Sequence, residues 1–267
     1  MNRHASSLEL MLFESGAAGA KAMMAAGIDH FVVDWEYMGK TERQKEFDTE
    51  IAPVGPQALS DVARLPGART WCRINGEGAH TPEEVEIAVG AGARGIFLPM
   101  AHSPAEVERF LRLVDGRCQV GILVETTAAL SCARSLATLP LDRVYFGLND
   151  FAISRGGGSI FRAVLDGSVE RAREAFSHTP FGFGGVTAVD GGTPVPCARL
   201  LEEMARLDCQ FVFLRRSFRR DVQRLGAARL TAEVAAYWQR CRARTAAETA
   251  HDRRTLERLL AEVCDAV

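Results

Sequence analysis

Val120-Gly-Ile-Leu-Val-Glu-Thr-Thr127 and Arg143-Val-Tyr-Phe-Gly-Leu-Asn-Asp150 are two short apolar runs, each carrying an acid at its end. Runs of this length, bounded by turn signals, read as buried parallel strands. Residues 126–139 between them read as a crossover helix, so the unit is strand, helix, strand. Parallel neighbours put their carboxyl ends on one side of a sheet, the side where α/β proteins place their chemistry. Glu125 and Asp150 are therefore expected to face one space. Two hard carboxylates on adjacent strand ends suit a divalent cation such as Mg²⁺ or Mn²⁺. The competing reading is that each acid caps the helix that follows it.

Outward from this unit the same alternation continues. Residues 8–13, 29–36, 70–74 and 95–99 read as strands before it, and 181–186 and 209–214 as strands after it. Helical stretches separate them, among them 16–26, 56–65 and 197–207, with a polar segment at 37–50. Thr81-Pro82-Glu83-Glu84 and Ser103-Pro104-Ala105-Glu106 are helix starts, each with a capping hydroxyl, a proline and acids. A Gly-rich loop, Arg155-Gly-Gly-Gly158, is expected after Asp150, then a helix to about Ser177. Eight such alternations in roughly 230 residues predict an α/β fold, a (β/α)8 TIM barrel. Residues 221–242 and 246–263 follow as helices, and Leu256, Leu259, Leu260 and Val263 form one apolar face of the last. The expected division is a catalytic barrel over residues 1–242 and a helical extension over 243–267. A closed barrel leaves that stripe little to pack on, so it is expected to meet a neighbouring subunit.

Composition narrows the function. With 267 residues, 47% of them hydrophobic, the chain is long enough for one large core. A net charge of −2 gives no electrostatic case for nucleic acid or an anionic membrane. No apolar run approaches the roughly 18 residues of a membrane span, and the first residues lack the apolar core of a signal peptide. A cytoplasmic protein is the expectation. The seven cysteines include no C-x-x-C pair and no metal-ligand spacing, so most read as small core residues. Lys21, Lys40 and Lys45 are the only lysines. A pocket lysine for an imine, as pyridoxal phosphate or a Schiff-base aldolase needs, is thus not to be found after residue 45. No G-x-G-x-x-G follows the first strand, which argues against a nicotinamide cofactor.

The carboxyl ends of the expected strands collect a consistent set: Asp34 and Glu36 from the second, Arg73 from the third, Glu125, Asp150, and Arg215 with Arg216 from the eighth. Four acids at one mouth raise one another's pKa values unless a cation offsets them. A metal on Glu125 and Asp150 would do so, with Asp34 or Glu36 holding its waters. Arg73 would then hold a carbonyl or enolate oxygen. The alternative is a network of structural ion pairs.

The runs FVVDWE, WCRING, GIFLPMAHSPAE, ILVETTAAL and VYFGLNDFAIS resemble the metal-dependent pyruvate aldolases of the HpcH/HpaI (4-hydroxy-2-oxoheptanedioate) family, which shares a superfamily with the citrate lyase β-subunit. The resemblance covers residues 8–215 and fades after about residue 158. It implies metal ligation by Glu125 and Asp150, oxyanion stabilisation by Arg73, and capture of a pyruvate-like carboxylate by N–H groups at Asn149 and Asp150. The reaction implied is carbon–carbon bond formation or cleavage through a metal-stabilised enolate of pyruvate or a related 2-oxo acid, with an aldehyde as partner. A homo-oligomer, trimer or hexamer, is implied as well.

Two departures stand out. The aldolases carry a histidine after the strand 2 acid, where this chain has Tyr37, and a glutamine where it has Leu123. The replacement acid/base is then His80, His102, Tyr37 or water on the metal. Arg215, at a corner where barrels often bind phosphate, is a candidate for a substrate carboxylate or phosphate. Two other readings follow from the same residues: a citrate-lyase-like CoA-thioester lyase, and a barrel that has lost its base and only binds ligand.

Overall fold

A computed structural model describes residues 7–38 and 54–266. Eight parallel strands, β1 (Glu9–Phe13), β2 (His30–Asp34), β3 (Arg69–Arg73), β4 (Gly95–Leu98), β5 (Gln119–Val124), β6 (Arg143–Phe146), β7 (Phe181–Phe183) and β8 (Phe211–Phe213), form one sheet in the order β7-β6-β5-β4-β3-β2-β1-β8. Its two edges meet. Gln210 N–H donates to Phe181 O at 3.0 Å, Val186 N–H to Phe213 O at 3.1 Å and Arg215 N–H to Val186 O at 2.8 Å. The result is the (β/α)8 TIM barrel that the alternation predicted.

The inside of the barrel is filled, not hollow. Met11, Val32, Trp71, Phe97, Leu123, Tyr145, Phe211 and Phe213 make a buried cluster of their own. Large rings from some strands sit over glycines on their neighbours. A Cβ at Gly95 would lie 2.6 Å from the Trp71 ring, and one at Gly121 would lie 2.4 Å from Phe97. Trp71 and Phe97 stack at 4.5 Å, and Tyr145 and Phe213 at 3.9 Å. This large-to-small matching packs the centre with side chains. Below the aromatic layer Glu9 receives Arg143 at 2.6 Å and His30 at 3.0 Å. Above it lies the mouth. A second, larger core fills the space between sheet and helices.

Several boundaries differ from expectation for local reasons. The crossover after β5 is two short helices, Thr127–Ser131 and Ala133–Leu136, separated at Cys132. Strand β6 stops at Phe146, and Asp150 sits in the first turn of a helix, Leu148–Ser154, rather than at a strand end before a loop. Residues 159–177 contain two helices, Arg162–Leu165 and Ser168–Ala175. Gly184, with φ of +75°, follows directly on β7 and shortens it. The helix expected from residue 221 starts at Arg216 and is divided at Gly226, which has φ of +81°. The polar segment expected at 37–50 lies, after Met38, outside the described residues.

The last helix, Ala246–Asp265, opens on a capping box between Thr245 and Glu248. Part of its apolar stripe is covered within the chain. Leu256, Leu260 and Cys264 are buried within the chain, against the helices Cys197–Arg206 and Arg162–Leu165. Arg253 reaches Glu203 at 2.6 Å across the same seam. A third layer of helix thus covers this part of the barrel wall, with Leu259 and Val263 of the stripe left partly exposed. Among the described residues no helix is long and apolar enough to cross a membrane.

Candidate active site at the carboxyl mouth of the barrel

The register places Asp34 beside Arg73 across β2 and β3. Arg73 takes that carboxylate with both prongs, Nε to Oδ1 at 2.9 Å and Nη2 to Oδ2 at 2.7 Å. Its third nitrogen, Nη1, lies 3.2 Å from Glu36 Oε2. The guanidinium also covers the Phe13 ring at 4.9 Å. Burial works against its charge, and Asp34 and Glu36 outweigh that, holding its pKa well above the ordinary arginine range. Arg73 is thus a fixed cation in a largely dry site, its fork locked at two points.

Glu36 is placed by the loop that leaves β2. Its N–H donates to Asp34 Oδ1 at 3.1 Å, and Trp35 N–H donates to Arg73 O at 2.8 Å. Asn75, 0% exposed, holds the next turn. Its Oδ1 accepts from the N–H groups of both Tyr37 and Met38, at 3.0 and 2.9 Å. Its own N–H and side-chain amide donate to the Glu84 carboxylate. Nothing in the reading of the sequence singled out Asn75, although the polar residue inside WCRING was the available signal.

Glu125 follows β5 and is 3% exposed. It does not cap the next helix; Thr126 does, accepting from Ala129 N–H at 2.9 Å and donating to Ala101 O at 2.7 Å. Glu125 Oε2 instead accepts from Met100 N–H at 3.1 Å, where Met100 adopts a left-handed φ of +52°. Such a conformation costs a non-glycine residue of order 1–3 kcal/mol and clusters at functional sites. Asp150, also buried, lies in a helix first turn that favours negative charge. Burial first, then Asp150 and Glu36, push the Glu125 carboxyl up to about 8, against the pull of Arg73 and the Met100 N–H.

The site therefore brings together Asp34, Glu36, Arg73, Glu125 and Asp150. Asn149 is exposed one residue before Asp150. Arg215 is half-buried beside β7, with its stem across Gly185. The proton-transfer candidates are more scattered. His80 Nε2 bonds back to Gly76 O at 2.8 Å within its own loop. His102 is 54% exposed and lies 3.6 Å from Glu106, over its own helix start. Tyr37 is 52% exposed on the loop that Asn75 clamps.

A divalent cation suits the donor set. Glu125 and Asp150 offer hard oxygens whose mutual repulsion a cation would relieve, and Glu36 adds a third negative charge nearby. Among the described residues no three His, Cys, Asp or Glu side chains form a metal cage. Two carboxylates with the other positions left to water and substrate is the usual Mg²⁺ arrangement.

No protein-family model and no curated protein matches the sequence. Solved structures do match in fold. An HpcH/HpaI aldolase from Desulfitobacterium hafniense superposes with a TM-score of 0.64 at 14% identity, over 84% of this chain and 92% of that one. Protein CitE from Mycobacterium tuberculosis, in complex with magnesium and pyruvate, gives 0.62 at 19% identity, over 93% and 98%. The same protein with magnesium, acetoacetate and coenzyme A gives 0.57 at 21% identity, over 95% and 87%. The fold is theirs. At these identities the likeness is one of architecture.

Proposed function

We propose that this chain is a divalent-metal-dependent carbon–carbon lyase, a class II aldolase acting at the methyl carbon of pyruvate or a related 2-oxo acid. The observation that carries the reading is the pair of buried carboxylates, Glu125 and Asp150, gathered at the mouth with an Arg73 locked by Asp34 and Glu36. Glu125 and Asp150 would hold the metal. Bound there, Mg²⁺ or Mn²⁺ would polarise the 2-oxo group and orient it.

The chain's own residues supply the rest. Arg73 presents N–H groups where negative charge develops on the oxygen, and preorganisation by Asp34 and Glu36 means it need not reorient during reaction. Asn149 and Asp150, opening their helix, would take the carboxylate, and Arg215 a charged group on the second substrate. For the proton, Tyr37 is our first choice of the three candidates: it adjoins Glu36 and its N–H is held by Asn75, while His80 is bonded to Gly76 O and His102 lies beside Glu106. The resemblance alone supports a trimer or hexamer. Seven free cysteines suit a reducing cytoplasm.

The CoA-thioester lyase reading rests on the CitE complex with acetoacetate and coenzyme A, and no residue at this mouth favours it over the first. Aldol cleavage and condensation assays with and without a chelator test the proposal. Activity lost in EDTA and restored by Mg²⁺ or Mn²⁺ is expected; undiminished activity in EDTA would refute it.

A further inference from the structure

Gly147, between β6 and the helix Leu148–Ser154, has no unusual backbone. Its φ of −87° and ψ of 103° are open to any residue. What distinguishes it is its neighbour. A Cβ built there would lie 2.4 Å from Glu125 Oε1, 2.5 Å from Glu125 Cγ and 2.9 Å from Glu125 Cδ. All three of its nearest atoms thus belong to one side chain. That side chain is buried, and its other oxygen is held by Met100 N–H.

Neither backbone can drift to make room. Gly147 N–H donates to Val124 O at 3.1 Å, tying it to the end of β5 directly before Glu125. Gly147 O accepts from Phe151 N–H at 3.1 Å, tying it into the helix that carries Asp150. The space left by the missing side chain is therefore a slot, walled by fixed backbone, into which the Glu125 carboxylate fits on its way to Asp150.

We propose that Gly147 is a positioning residue for the metal-binding carboxylate: its missing Cβ admits Glu125, while the left-handed Met100 N–H fixes the other oxygen. This rests on the lyase reading for what the carboxylate holds, but not for the packing itself. Gly147→Ala adds one methyl group, introduces no backbone strain, and must push Glu125 aside. Glu125→Asp shortens the acid by one methylene and vacates the contested space. The two changes should therefore compensate, as neighbours sharing one volume do.

The test is calorimetric titration of Mg²⁺ into the wild type, Gly147→Ala, Glu125→Asp and the double variant, with a crystal structure of Gly147→Ala. Binding weakened at least tenfold in Gly147→Ala, with the double variant binding tighter than Gly147→Ala, is expected. Equal Mg²⁺ affinity in wild type and Gly147→Ala would overturn the proposal. If the wild type binds no Mg²⁺, the lyase reading fails separately, and the structure decides: a displaced Glu125 supports the slot and an unmoved one refutes it. If Gly147→Ala does not fold, recovery of folding in the double variant supports the proposal and no recovery overturns it.

Discussion

At the scale of single residues, charge at the mouth is arranged so that no acid is interchangeable with another. Arg73 is locked by Asp34 and Glu36, so its removal would leave buried carboxylates without their counter-charge. Arg73→Met should cost about 3–5 kcal/mol of stability, read from the urea midpoint, besides abolishing turnover. By the resemblance of its sequence runs, Tyr37 corresponds to the histidine of the HpcH/HpaI aldolases. Tyr37→Phe should slow turnover by roughly 10²–10⁴-fold if it moves the proton, while His80→Gln and His102→Gln should each stay close to wild type. Steady-state rates decide between them, and a large loss in either histidine variant would move the role. On the floor of the barrel, His30 and Arg143 hold the Glu9 carboxyl down, from about 4.5 to about 2, against burial. A depressed acid stabilises the fold above its unfolded pKa and loses that contribution as pH falls through the folded one. Glu9→Gln should thus cost roughly 1–2 kcal/mol at pH 7, after discounting for its partial exposure, and the difference from wild type should shrink between pH 4.5 and 2.

At the scale of elements, the apolar runs announced the strands because a parallel strand covered on both faces must be apolar throughout. Ser103 is the cap its S-P-A-E pattern predicted, accepting from Glu106 N–H at 3.3 Å. Breaks inside helices were harder to foresee. Cys132 and Gly226 interrupt runs whose periodicity continues across them, and tertiary packing decides where such a run turns. The last helix shows the same limit. Its stripe of Leu256, Leu259, Leu260 and Val263 was legible as a face to be covered, but the covering surface is formed by helices Cys197–Arg206 and Arg162–Leu165, which lie far away in sequence. Leu260, fully buried, should on replacement by alanine cost about 2–5 kcal/mol by thermal or chemical unfolding. Sedimentation should show the oligomeric state unchanged in that variant; dissociation at equal concentration would mean that the stripe serves an interface after all.

For the whole molecule, closing the barrel gathers Asp34, Glu36, Arg73, Glu125 and Asp150 at one mouth, and this follows from strand order once eight parallel strands are accepted. Charged residues at strand ends could therefore be named from the sequence. The parts that hold them could not, because they act through backbone geometry or through absence: the left-handed Met100, the buried Asn75 clamp and the side chain that Gly147 lacks. In the proposed reaction this mouth draws a proton from the methyl carbon of a 2-oxo acid under metal control. Exchange of the pyruvate methyl protons in D₂O, followed by proton NMR, reads that step without an aldehyde partner. Mg²⁺-dependent exchange that stops in EDTA and in Glu125→Gln is the result predicted. Exchange no faster than in buffer for the Mg²⁺-loaded wild type, or exchange that persists in EDTA, would contradict it.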